Sequence, residues 1–130
     1  MTKSTLQHDQ SNADIQRITQ IIHQYFDGLY YGDIDILAAV FREDTVLKAP
    51  YLTRSLEQWF SDIVERPIPA DETKGSHIGF RILSIEVVGD QAMVKVECPL
   101  FDFEYIDFLG LLKENQQWLI VSKMYVDMAK

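Results

Sequence analysis

One carboxylate stands where a carboxylate is costly. Asp107 occupies the middle of the apolar run Phe103-Glu-Tyr-Ile-Asp-Phe-Leu-Gly-Leu-Leu-Lys113. Strand alternation places it on one face with Tyr105, Leu109 and Leu111. If that face lines a hollow, desolvation raises the pKa of Asp107 and keeps it neutral, able to donate a hydrogen bond to a ligand oxygen. The structural alternative is a carboxyl paired with an internal hydroxyl or a lysine, holding the sheet together. Tyr25 is the second polar candidate, because its hydroxyl can aim at the same ligand atom. Helical periodicity alone also explains an aromatic residue at position 25. Around this pair the chain supplies much aromatic surface. Tyr51, Trp59, Phe60, Phe80, Phe103 and Tyr105 are the expected walls of an apolar pocket with few polar anchors, suited to a small apolar or aromatic ligand.

Other chemistries have little to work with. His8, His23 and His77 are scattered without ligand spacing, so no metal is expected, and nothing calls for a cofactor. His77, at a strand start, is a candidate for the pocket mouth. Phosphate loops and nucleophile motifs are missing, since Gly75-Ser-His-Ile-Gly79 lacks a strand–loop–helix setting. Arg54 and Arg81 are candidates for meeting an anion at the mouth, and Lys48 alternates outward. The single cysteine, Cys98, lies in an apolar strand and reads as a buried, inert thiol.

The elements that position these residues follow from periodicity. Residues 1–10 are polar and predict a frayed tail, with a single domain over 11–130. Ser11 reads as a helix cap and Asp14 as a partner for the positive helix end. Ile15, Ile18, Ile22, Tyr25 or Phe26, and Leu29 then recur at helical spacing, and Gly32 is a suitable stop. Asp33 caps a second, shorter helix with the face Ile34, Ile36, Leu37, Val40 and Phe41. Thr45 to Pro50 is a short strand. Ser55-Leu-Glu-Gln58 is a capping box opening a third helix, and residues 66–76 are a loop. Four long strands follow: Ile78 to Val88, Gln91 to Phe103, then 104–113 and 117–127 joined at Glu114-Asn115-Gln116. The class is α+β, with helices gathered on one face of an antiparallel sheet.

Composition narrows the function. The 130 residues are 47 % apolar with a formal net charge of −8. That acidity, without a basic cluster, argues against nucleic acid. No apolar run is long enough to span a membrane, and Met1 to Gln10 lacks a signal-peptide core, so a soluble cytoplasmic protein is expected. The last strands carry apolar residues on both faces (Met93, Val94, Val96; Leu119, Ile120, Val121), which predicts a homodimer through the outer sheet face.

The order of elements resembles the nuclear transport factor 2-like superfamily, whose curved sheet wraps as a cone around a pocket beside three N-terminal helices. Three segments are similar to its putative lumazine-binding family: Tyr25-Phe-Asp-Gly-Leu-Tyr-Tyr-Gly-Asp33, Val40-Phe-Arg-Glu-Asp-Thr-Val46, and Tyr105 to Lys113 with Trp118-Leu-Ile-Val-Ser-Lys123. The resemblance spans roughly residues 13–127. It departs at Gln116-Gln117, where a glycine commonly precedes the tryptophan. The superfamily also holds ketosteroid isomerases, dehydratases and polyketide cyclases. The isomerase likeness implies Tyr25 as oxyanion donor and Asp107, in Ile106-Asp107, as a protonated acid. Its catalytic base has no counterpart, because that position reads Ala49-Pro50. The resemblance therefore implies a small-molecule-binding domain. The alternatives are an isomerase, dehydratase or cyclase using Asp107 and Tyr25, or a dimerisation module whose cone is filled by its own side chains.

Overall fold

The computed structural model describes residues 2–67 and 79–129, with side chains from residue 10 onward. Helix α1 runs Thr2–Tyr31, α2 Ile34–Val40 and α3 Leu56–Glu65. The strands are β1 Phe41–Ala49, β2 Leu52–Ser55, β3 Arg81–Val88, β4 Gln91–Leu100, β5 Phe103–Glu114 and β6 Gln117–Asp127. They form one curved, unclosed sheet in the order β2-β1-β6-β5-β4-β3. Every neighbouring pair is antiparallel except β1 and β6, which are parallel.

Helix α1 starts well before Ser11, so Ser11 is not its cap. Residues 2–10 contain neither Pro nor Gly, and a helix already nucleated by its packed half propagates through them. Its buried stripe is Ile18, Ile21, Ile22, Tyr25, Phe26 and Leu29, whereas Ile15 is exposed. Asp14 is not a dipole partner at a helix start. It is a buried anchor whose Oδ1 accepts from Trp118 Nε1 at 3.0 Å, Lys113 Nζ at 3.1 Å and Gln10 Nε2 at 3.3 Å. It thereby ties α1 to the hairpin of β5 and β6.

Gly32, at φ +63°, ends α1, and Asp33 N–H donates back to the Gly28 carbonyl at 3.0 Å. Asp33 then turns the chain directly into α2, its Oδ1 accepting from the backbone of Asp35 and Ile36. Gly28 allows the tight crossing: a Cβ there would lie 2.5 Å from Leu37 Cγ. Phe41, expected on the face of α2, is instead the first residue of β1. The capping box of α3 is formed, with Gln58 N–H donating to Ser55 Oγ and Ser55 N–H to Gln58 Oε1.

Beyond the single short strand expected before α3, the chain makes a second, β2, paired with β1. The first of the four long strands, β3, starts at Arg81 rather than Ile78, which lies outside the described residues, as do His77 and most of the 66–76 loop. Asn115 and Gln116, both at positive φ, make the two-residue turn that joins Glu114 to Gln117.

Candidate functional site

The inner sheet face meets the helices in a core that includes Val94, Val96, Leu109, Leu111 and Ile120. Toward the Tyr105 end of β5 that packing opens into a cavity of about 110 Å³. Leu29 of α1 and Trp59 of α3 close it from the helix side, and Leu47, Cys98, Tyr105, Asp107, Lys123 and Tyr125 line it from the sheet. Arg54, Trp59, Arg66, Leu100 and Tyr105 border both this cavity and a wider vestibule of about 450 Å³, which Phe101 and Phe103 also line. The hollow is thus narrow and polar at its base and broad and aromatic at its mouth.

Asp107 is 1 % exposed. Its Oδ2 accepts a 2.6 Å hydrogen bond from Tyr25 Oη, while Oδ1, also buried, has no N–H or O–H donor among the described residues; the Cys98 thiol beside the carboxyl is a weak donor. Tyr25 therefore holds Asp107 in place rather than reaching a ligand alongside it, and it does not line the cavity. Burial, then the adjacent Asp107 carboxylate, pushes the Tyr25 phenol well above its usual range, so it remains a donor.

Lys123 is the second buried ionisable group of the cavity, 7 % exposed. It faces Leu109 across the β5–β6 ladder, which makes it a diagonal neighbour of Asp107 on the same sheet face. Its Nζ lies 4.0 Å from the Trp59 ring centre, 5.4 Å from that of Tyr125 and 5.5 Å from that of Tyr25. Burial pulls its ammonium below the usual lysine range, and the Asp107 charge opposes that only in part. The Cys98 thiol is pushed up by burial and then by Asp107, which leaves it a poor nucleophile.

The predicted walls separate into groups. Trp59 and Tyr105 line the cavity with Asp107, and Phe103 lines the vestibule, stacked on Tyr105 at 5.1 Å. Tyr51 does not join them. It is fully exposed at φ +66° in the β1–β2 turn, because the extra strand turns the chain outward there. Phe80 packs edge-on against Phe26 and Tyr30, away from the cavity. Phe60 touches Trp59 but borders a separate groove with Ile34, Leu56 and Val64. Arg81 pairs with Glu97 on the surface, and Arg54 pairs with Asp62 at the vestibule. Lys123, Arg66 and Tyr125 were not among the expected site residues. For Lys123 the available signal was position: it shares the inward phase of β6 with Tyr125. Among the described residues no group of three His, Cys, Asp or Glu side chains could hold a metal ion. No helix among them is long and apolar enough to cross a membrane.

Three helices laid on a curved sheet, with a hollow between them, define a nuclear transport factor 2-like protein. The profile of the family described as "Putative lumazine-binding" matches residues 13–126, and the chain belongs to that family. Solved structures support the fold. A nuclear transport factor 2-like protein of unknown function from Shewanella baltica is 22 % identical, with 88 % of this chain and 94 % of that one covered at a TM-score of 0.73. One from Silicibacter pomeroyi is 24 % identical, with 90 % and 98 % covered at 0.72. The association domain of C. elegans CaMKII is 11 % identical, with 90 % and 98 % covered at 0.65. No curated protein gives a match.

Proposed function

We propose that this protein binds a small planar molecule whose polar edge enters the base of the cavity while its remaining surface rests in the aromatic vestibule. The observation that carries this reading is the buried Asp107 Oδ1, on the wall of a hollow, which has no N–H or O–H donor among the described residues and only the weak Cys98 thiol nearby. A buried acceptor left unmade costs about 1–3 kcal/mol, which a ligand N–H would recover. Lys123 beside it supplies the complementary donor. A ring edge that alternates N–H and C=O satisfies both groups at once, the N–H meeting Asp107 and the C=O meeting Lys123. The pyrimidinedione edge of lumazine, the molecule in the family's description, has this alternation. Trp59, Tyr105 and Phe103 provide faces for the rest of a flat ring system. An isomerase-type reaction has less support, because the Tyr25 hydroxyl already donates its hydrogen bond to Asp107 and position 49 carries Ala.

Titration with lumazine, followed by Trp59 fluorescence and by calorimetry, tests the reading. Saturable binding is expected, weakened about tenfold or more in Asp107→Asn and in Lys123→Met, each checked for retained fold by circular dichroism. Binding that is undetectable, or unchanged in both variants, refutes it.

A second copy of the chain is the proposed partner, covering the outer sheet face. Met93, Phe108, Met124 and Val46 are exposed there on adjoining strands, and Val126 extends the patch. The likeness to an association domain agrees with this use of the fold.

A further inference from the structure

The arrangement around Lys123 is not that of a structural lysine. A buried ammonium is ordinarily held by a carboxylate in direct contact or by several hydrogen-bond acceptors. Lys123 is nine-tenths buried, yet it makes no direct ion pair among the described residues: the Asp107 charge acts on it from the diagonal position, and three aromatic ring faces lie around its Nζ. Those rings attract a cation, but they accept no proton and form no ordinary hydrogen bond. A leucine or methionine would fill the same space without the desolvation cost. The amine also borders the cavity, so a molecule entering from the vestibule meets it at the base.

We infer that Lys123 is a nucleophile that forms an imine with a small aldehyde or ketone, its carbonyl carbon presented at the base of the cavity and its apolar remainder held by the vestibule rings. Burial favours the free amine, which agrees with this role. In the first step the neutral Nζ attacks the carbonyl carbon. The N–C bond forms, the C=O π pair moves to oxygen, and a proton passes from nitrogen to that oxygen to give a carbinolamine. In the second step the hydroxyl leaves as water, taking the remaining N–H proton by way of Asp107, while the nitrogen electron pair forms the C=N bond. The balance is amine plus carbonyl compound to imine plus water, with no oxidant, reductant or co-reactant. Asp107 is the group on the same wall suited to relay these protons: its Oδ1 takes no N–H or O–H donor among the described residues, and Tyr25 fixes the carboxyl by Oδ2. Cys98 does not compete for the carbonyl, because its thiol is held protonated by burial.

This inference rests on the binding reading only in requiring that the cavity admit a small molecule. The test uses the full chain with benzaldehyde and sodium cyanoborohydride, which reduces an imine to a stable secondary amine. Peptide mapping then gives the rate of modification at each lysine. Lys123 is expected to be modified faster than the exposed Lys48 and Lys95 by about tenfold or more. In Lys123→Arg, modification at that position is lost while that of the other lysines is unchanged. Asp107→Asn slows modification of Lys123 and leaves the surface lysines unaffected. Modification of Lys123 no faster than of Lys48 and Lys95 overturns the inference, and because this comparison is made within the unsubstituted protein, it does not depend on any variant folding. Lumazine binding measured on the same preparation separates the two failures. Saturable binding with an unreactive Lys123 removes the imine alone, whereas neither binding nor selective modification removes the site.

Discussion

At the scale of single residues, the cavity depends on how Asp107 is held. Its hydrogen bond from Tyr25 joins α1 to β5 at 2.6 Å, with both side chains buried. Tyr25→Phe removes one oxygen and leaves the Asp107 carboxyl without an O–H donor, with only the weak Cys98 thiol beside it. A loss of about 1–3 kcal/mol is expected from urea unfolding curves, with the denaturant slope unchanged. An unchanged midpoint would mean that the carboxyl finds another donor. Asp107 was legible because a carboxylate in the middle of an apolar run requires an explanation. Lys123 was not. It follows Ser122 and precedes Met124, and a lysine at such a place ordinarily extends its stem along the surface with its charge in water. What buries it is the approach of Trp59 from α3, a contact between distant parts of the chain that no local pattern encodes. Tyr51 misled for the opposite reason. Its aromatic ring suggested a wall, whereas its backbone makes a turn.

At the scale of elements, two contacts set how α1 lies on the sheet. The first is the Asp14 cluster. Burial pushes the Asp14 carboxyl up, but the hydrogen bonds from Trp118 and Lys113 and the lysine's charge outweigh it, so its pKa lies below the ordinary value. A depressed carboxyl pKa contributes stability that is fully present above the unfolded value, near 4, and is lost as pH falls through the folded one. Asp14→Asn is therefore expected to cost about 1–3 kcal/mol at pH 7. The gap to the unsubstituted protein should narrow as pH falls below about 4, which urea titrations at two pH values check. The second contact is the α1–α2 crossing. Gly28→Ala gains helix propensity but drives a methyl into Leu37 Cγ, so a net loss of about 1–3 kcal/mol is expected in thermal or urea unfolding. The helices were legible from their apolar stripes, and α2 and α3 also from their caps, whereas the cap expected for α1 at Ser11 lies inside the helix. The strand β2 was not, since Leu52–Ser55 is four residues long and three of them are exposed, too short and too open to show alternation.

At the scale of the whole molecule, the outer sheet face is the surface that calls for cover. Gly110 and Ser122 lie between Met93 and Val46 across adjacent strands, leaving a shallow recess among larger apolar side chains. Phe108→Glu, placed in the exposed row beside Met124, should convert a dimer to a monomer in sedimentation at micromolar concentration, with the helical signal intact. A monomer before substitution would contradict the proposed partnership. The parallel pairing of β1 with β6 has a temporal consequence as well. During synthesis, Phe41–Ala49 emerges early with only the short β2 to pair with, and its other edge stays open until Gln117–Asp127 has followed. The antiparallel meander can assemble as it leaves the ribosome, but the seam that joins both halves waits for the last segment, which also brings in Lys123. Nascent chains arrested before that point should thus be protease-sensitive at their early strand, with maturation paced by a long-range closure instead of by local hairpins.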